Sequence, residues 1–318
     1  MPETTQLYQI PLEFSGLRLD QALAKLLPDF SRNRLQLWIR DGHVRVDGNL
    51  VTPRLRLIGG ETVSVDEIPV TVEAPPAAEP MALEIVFEDA HLIVINKPAG
   101  LVVHPGAGIA SGTLLNGLLH HDAALNDIPR AGIIHRLDKE TSGLMVVART
   151  LQSHKFLTDQ LAEREVTREY LTLVHGWIIA GGTIDEPIGR HRSERTRMAV
   201  TSGGREARTH YRVEQHWPHH TLLRVQLDTG RTHQIRVHMR HIKHPVVGDP
   251  TYGTRTQPPA RCSTELRNGL LGFKRQALHA TRLGLIHPKS GEPMEWQRPV
   301  PNDFQSLIEQ LSREYDQE

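Results

Sequence analysis

One carboxylate, Asp138, stands where chemistry could be done. Within residues 132–148, GIIHRLDKETSGLMVVA, a polar run HRLDKETSG separates an apolar lead-in, Ile133 and Ile134, from an apolar lead-out at 144–147. The apolar pieces read as strands and the polar run as the loop joining them. Loops held by a rigid sheet commonly carry function. The residues alone leave Asp138 open, because an Asp in such a loop can also cap a turn or pair with Arg136 or Lys139.

Other side chains with chemical potential are weaker candidates. His238, His241 and His244 are spaced three apart, and His216, His219 and His220 cluster, but no carboxylate completes a ligand pattern beside them. Cys262 is the only cysteine, which excludes an intrachain disulfide and a Cys-rich zinc site. The H-x-E and P-C-x-x-C pattern of zinc deaminases is missing. Ser142 before Gly143 does not form a G-x-S-x-G elbow. Gly106, Gly108 and Gly112 fit neither a dinucleotide fingerprint nor a phosphate loop ending in GK[ST]. No metal and no cofactor are expected.

The elements that must position Asp138 follow from periodicity. IVFEDAHLIVINKP reads as two strands, 151–164 as a helix, and HYRVEQHW, LLRVQLDTG and LHATRLGLIHP as alternating strands. RTHQIRVHMRHI fits a helix, and Phe304, Leu307, Ile308 and Leu311 mark a final amphipathic one. Strands outnumber helices without regular βαβ alternation. The expected class is therefore α+β, with a largely antiparallel sheet flanked by helices and loops over residues 83–318.

A smaller domain precedes it. Leu19, Ala22, Leu23, Leu26 and Leu27 share a helical face closed by Pro28, and Ser31 can cap a second helix carrying Leu35, Trp38 and Ile39. Val44 and Val46 alternate before the turn pair Asp47 and Gly48, and ETVSV repeats the alternation. These residues define a small α/β domain over 1–66. Residues 67–82, with Pro69, Pro75, Pro76 and Pro80 among acids, read as a linker.

Composition describes a globular chain of 318 residues, 38% hydrophobic and 23% charged, with formal net charge +0. Charge placement says more than its sum. Residues 15–57 carry eight Lys or Arg against four acids, and 190–240 carry eleven Arg against four acids. Such basic regions suit phosphate. No signal-peptide pattern and no membrane-length apolar run is present, so a cytoplasmic protein is expected, with monomer as the default state.

Several motifs occur in an order that closely resembles the RluA family of pseudouridine synthases: HRLDKETSGL, REYLTLVHG from Arg168, TGRTHQIRVHM from Thr229 and HPVVGDPTYG from His244. INKPAGLVVHPG adds to the match, and the amino-terminal domain, with Arg32, Arg34, Arg40 and Arg45, resembles the S4 RNA-binding domain. The resemblance implies an isomerase acting on uridine in large-subunit ribosomal RNA by base flipping, without cofactor. It implies Asp138 as the catalytic residue, either nucleophile or base at C2′. It further implies Tyr170 stacking on the uracil, Arg231 paired with Asp138, and Arg136 in the space left by the flipped base. Arg32, Arg34 and Arg40 would contact RNA. An inert RNA-binding protein and an N-glycosidic hydrolase are the other classes, although hydrolases usually show paired carboxylates.

Overall fold

A computed structural model describes residues 5–28, 30, 32–66, 77–106, 108–194, 196–253 and 258–315. The chain divides into two compact units, 1–75 and 76–318.

The first unit contains β1 (Thr5–Gln9), α1 (Leu19–Leu26), α2 (Arg32–Arg40), β2 (Val44–Val46), β3 (Asn49–Leu50) and β4 (Thr62–Asp66). The strands form an antiparallel sheet in the order β1-β4-β2-β3. Its core takes Leu19, Ala22 and Leu23 from α1, Leu35, Trp38 and Ile39 from α2, and Val44, Val46, Val63 and Val65 from the sheet. These are the positions that the helical and alternating patterns single out. Asp47 and Gly48, both left-handed, turn the chain between β2 and β3 as a two-residue hairpin requires. Buried Asp20 holds this unit's helices together by accepting from Arg18, Arg32 and Gln36. Ser31, the expected cap of α2, and 67–76 of the expected linker lie outside the described residues.

Residues 77–82 belong to the second unit rather than to a free linker. Asn116 Nδ2 donates to Ala77 O at 2.8 Å, and Glu79 N donates to Asn116 O at 3.0 Å. Glu79 Oε2 accepts from Gly112 N at 2.9 Å.

In the second unit the strands are β5 (Ile85–Glu88), β6 (Leu92–Lys97), β7 (Ser142–Ala148), β8 (Thr167–His175), β9 (Gly182–Asp185), β10 (Ile188–Arg190), β11 (Met198–Val200), β12 (Arg208–Trp217), β13 (His220–Leu227), β14 (Leu278–Ile286) and β15 (Pro293–Gln297). The helices are α3 (Leu114–His121), α4 (Leu151–Glu163), α5 (Gln234–His241), α6 (Thr264–Gly272) and α7 (Asn302–Tyr315). The main sheet runs β5-β6-β7-β14-β8-β13-β12-β9, with β15 against β14, while β10 and β11 pair separately. Every pairing is antiparallel except β7 with β14, in keeping with the expected class.

Strands β6 and β7 are almost continuously apolar because both faces of this part of the sheet are covered. Leu92, Val94, Leu144 and Val146 pack with Leu157 of α4 and Leu283 of β14. Ile93, Ile95, Met145 and Val147 pack on the opposite face with Leu114, Leu115 and Leu118 of α3. Phe304, Leu307 and Leu311 of α7 are buried, as their spacing predicts.

Two glycines bracket the Asp138 loop where no other residue fits. Gly132 has φ +78°, and a Cβ there would lie 1.9 Å from Ala148 O. Gly143 has φ +117°, and its Cβ would lie 2.3 Å from Ala280 O, where β7 meets β14. Substituting Gly132 by Ala is expected to cost more than about 2 kcal/mol through left-handed strain and steric overlap, read as a lower urea midpoint with unchanged slope.

Candidate active site

A cleft of about 870 Å³ opens in the second unit, lined by Asp138, Tyr170, Arg136, Arg231, His233 and Arg236 among others. Asp138 reaches it from the loop leading into β7, and the motif's other residues explain how that loop is held. His135 Nε2 accepts from Val146 N at 3.1 Å. Accepting requires an unprotonated nitrogen, and burial, then the nearby Arg168 charge, pulls the imidazole down to about 3. Asp138 O accepts from Thr141 N at 3.0 Å, closing the turn. Leu137 is buried, so its neighbours Arg136 and Asp138 are left to face outward.

Lys97, at the end of β6, fastens the loop from below. Its Nζ donates to Pro98 O, Leu101 O and Lys139 O at 2.8, 2.9 and 3.0 Å, which matches the three protons of an ammonium. Burial, against the attraction of Glu140 and Asp138, brings this lysine down to about 7. Gly100 N also donates to Lys139 O at 2.9 Å. The INKPAG segment is therefore a brace for the Asp138 loop.

The carboxylate itself meets an arginine. Arg236 Nη1 donates to Asp138 Oδ2 at 2.8 Å, while its Nε and Nη2 grip Asp249 Oδ2 and Oδ1 at 2.7 and 2.9 Å. The side chain of Arg236 is 5% exposed and that of Asp249 0%. Burial alone would push Asp249 up, but hydrogen bonds and charge from Arg236 hold it below the usual carboxylate range. Asp249 Oδ1 also accepts from Thr251 N and Tyr252 N at 2.8 and 2.9 Å. The guanidinium lies over the Tyr252 ring, 5.0 Å from its centroid. With its fork committed to Asp249, Arg236 can offer Asp138 a donor from one fixed direction.

Tyr170 projects into the cleft from β8, between Val225 of β13 and Ala280 of β14. Among the described residues no hydrogen-bond partner meets its hydroxyl. Burial raises this phenol above its ordinary value, so it is neutral at neutral pH. Two residues earlier on the same face of β8, buried Arg168 donates to Leu227 O and Asp228 O at 3.4 and 3.3 Å. Arg136 is exposed on the cleft, whose lining also includes Arg130, Arg164, Arg205 and Arg231.

Comparison with known proteins places this architecture. The model for RNA pseudouridylate synthase matches residues 91–241, and that for the S4 domain matches 17–63. The chain is 50% identical over 318 residues to "Ribosomal large subunit pseudouridine synthase D" of Pasteurella multocida (strain Pm70), covering 99% of this chain and 97% of that one. The chain belongs to the RNA pseudouridylate synthases. The protein of the same title from Escherichia coli (strain K12) is 51% identical over 303 residues, covering 95% of this chain and 93% of that relative. Among solved structures, Human RNA Pseudouridylate Synthase Domain Containing 4 superimposes with TM-score 0.56 at 25% identity, covering 72% of this chain and 92% of that one. Human RNA Pseudouridylate Synthase Domain Containing 1 gives TM-score 0.52 at 29% identity, covering 70% and 86%.

Against the expectations for this synthase fold, Asp138, Tyr170, Arg136 and Arg231 share one cleft, but the expected ion pair of Arg231 with Asp138 is not formed. Arg236 makes it instead. The reason is helical geometry: α5 begins at Gln234, so Arg231 stays ahead of its first turn and donates through Nε to Glu206 O at 2.8 Å. Arg236, inside the helix, lies in a stretch buried on every side from Gln234 to Met239. Both arginines occur in TGRTHQIR, and the helical reading of that stretch was the signal that could have separated them.

In the S4 unit, Arg32 is bound to Asp20, and Arg40 Nη2 donates to Gln36 Oε1 at 3.3 Å. The Arg34 guanidinium lies 5.6 Å from the Trp38 ring centroid. His238, part of the histidine series, has Nδ1 at 2.8 Å from Thr209 Oγ1 and Nε2 at 2.9 Å from Glu186 O, so both ring nitrogens meet groups of the protein itself. No helix among the described residues is long and apolar enough to cross a membrane.

Proposed function

We propose that this synthase isomerises uridine to pseudouridine in large-subunit ribosomal RNA, with Asp138 as the reacting carboxylate. The observation that carries this reading is the pairing of Asp138 with a buried, doubly anchored guanidinium in a cleft walled by Tyr170. Relatives of about half-identical sequence over nearly the whole chain bear the name of large-subunit synthases, which supports the RNA class.

The reaction breaks the bond from N1 of uracil to C1′ of ribose, turns the base, and joins C5 to C1′. The C5 proton is lost and N1 gains one, so nothing is oxidised or reduced. Asp138 serves as nucleophile toward the uridine or as base at C2′, and both roles need an ionised carboxylate facing substrate. Arg236 supplies the countercharge without covering the oxygen on the other side. Tyr170, a phenol that burial moves further from ionisation, stacks on the uracil rather than acting as a phenolate base. A base within a stack cannot reach the cleft, so the uridine must be flipped, at an unstacking cost of a few kcal/mol. Arg136, exposed at the rim, takes the vacated position, and the S4 unit adds phosphate contacts through Arg32, Arg34 and Arg40. The chain works as a cytoplasmic monomer.

Incubating the purified protein with a hairpin from large-subunit ribosomal RNA and analysing its nucleosides tests this reading. Pseudouridine with no free uracil is the expected product. Free uracil would identify an N-glycosidic hydrolase, and unchanged RNA bound tightly would identify an inert RNA-binding protein.

A further inference from the structure

His233 occupies a backbone conformation with φ 59°, left-handed although it is not glycine, immediately before α5. Strain of this kind persists where surrounding structure demands it and concentrates at functional sites. Here it places the imidazole between two partners. Nδ1 lies 2.7 Å from the Tyr252 hydroxyl, and Nε2 lies 3.8 Å from Asp138 Oδ1. The latter separation is too long for a hydrogen bond but short enough to act on the carboxylate.

The hydrogen-bond inventory favours one tautomer. Met198 N donates to the Tyr252 hydroxyl at 2.8 Å, so that oxygen already accepts one proton. Its own proton has one acceptor within reach among the described residues, His233 Nδ1. An Nδ1 that accepts leaves the ring proton on Nε2, pointing at Asp138. The reverse tautomer would leave the phenol proton without a partner and set a nitrogen lone pair against the carboxylate. Both ends of the ring therefore select the same form.

We infer that Tyr252 and His233 form a positioning pair for Asp138, in which the tyrosine fixes an Nε2–H donor that orients Oδ1 toward the uridine and bonds it when substrate closes the cleft. Arg236 thereby holds Asp138 at Oδ2, while a neutral donor faces Oδ1. A neutral donor steadies the oxygen without the full ion pair that would blunt its reactivity. Burial lowers the imidazole's basicity, as do Arg236 and Arg136, while Asp138 and Asp249 oppose them, and the balance stays below the ordinary histidine value.

The inference rests on the proposed synthase activity, and two readouts keep the two apart. In the free protein, nitrogen NMR of the imidazole should show the Nε2–H tautomer in the wild type and mixed tautomers in Tyr252→Phe. An Nδ1–H ring in the wild type overturns the pair whatever the activity. On a hairpin that the wild type converts, Tyr252→Phe should lower kcat about tenfold with KM unchanged. His233→Leu should lower kcat about a hundredfold, and His233→Gln, which keeps an N–H near the Nε2 position, should recover at least tenfold of that loss. Equal losses in Gln and Leu variants, or a change confined to KM, would overturn the positioning role. Absence of pseudouridine from the wild type would instead defeat the functional reading, with the tautomer result standing by itself.

Discussion

Replacing Asp138 by Asn is expected to remove pseudouridine formation, with kcat falling at least about a thousandfold, or about 4 kcal/mol of barrier. The substitution changes charge and basicity while nearly preserving shape. An amide oxygen can still accept from Arg236 Nη1, and the Arg236 fork on Asp249 is untouched, so the loop and fold should survive. RNA affinity should change less than threefold if, as proposed, phosphate contacts by the arginine-rich rim and the S4 unit supply most of the binding. Single-turnover product formation and filter binding on the same hairpin check both halves. Turnover remaining within about tenfold of wild type would take Asp138 out of the chemistry.

A second large effect is expected at Arg236, this time on stability as well as rate. Arg236→Ala leaves Asp249, wholly buried, without its countercharge. Breaking such a pair from one side costs about 3–5 kcal/mol. The rate should fall at least about a hundredfold, since Asp138 also loses its directional donor. The pH dependence gives the sign. In the wild type Asp249 is held below its unfolded value, so its contribution is present above about pH 4 and is lost as pH falls through the folded value. In the variant, burial acts without the guanidinium and raises the same carboxyl. Its stabilising form is then the protonated one, so stability should be greatest in mild acid and should decline as pH rises. Urea midpoints measured from about pH 2.5 to about pH 8 would show the wild type losing stability as pH falls below about 4 and the variant losing it as pH rises above about 4. Parallel slopes would show that Arg236 does not govern Asp249. Arg236→Lys should recover little, because one ammonium cannot hold Asp249 with a fork and reach Asp138 as well.

Much of the fold was legible because its patterns are local. The apolar runs of β6 and β7, the alternation in β12 and β13, and the Phe304, Leu307, Leu311 stripe of α7 each follow from which face is buried. Strands β9 to β11 escaped notice because they are short and their burial is uneven. At the site, Asp138 and Tyr170 were legible through their motifs. The ion pair falls to Arg236 and not to Arg231 because α5 begins only at Gln234, a start that the motif's resemblance does not mark although the helical pattern of the stretch hints at it. Lys97, Asp249 and Tyr252 were harder still. Their roles arise from contacts across long sequence separations, such as Lys97 Nζ on Lys139 O, and no local period announces such a contact.

The pairing of β7 with β14 carries a consequence for how the protein comes into being. Ser142 Oγ and His279 Nδ1, 2.9 Å apart, are separated by 137 positions, and Gly143 lies against Ala280 at the same place. Closing so long a span delays the contacts beyond it, and parallel pairing is slow for the same reason. As the chain leaves the ribosome, β6 and β7 can pair early, but the β14 residue that meets Ser142 is made 137 positions after it. The Asp138 loop thus gains its final support late in synthesis, and a chain that ends before β14 presents the aspartate without the strand that backs it.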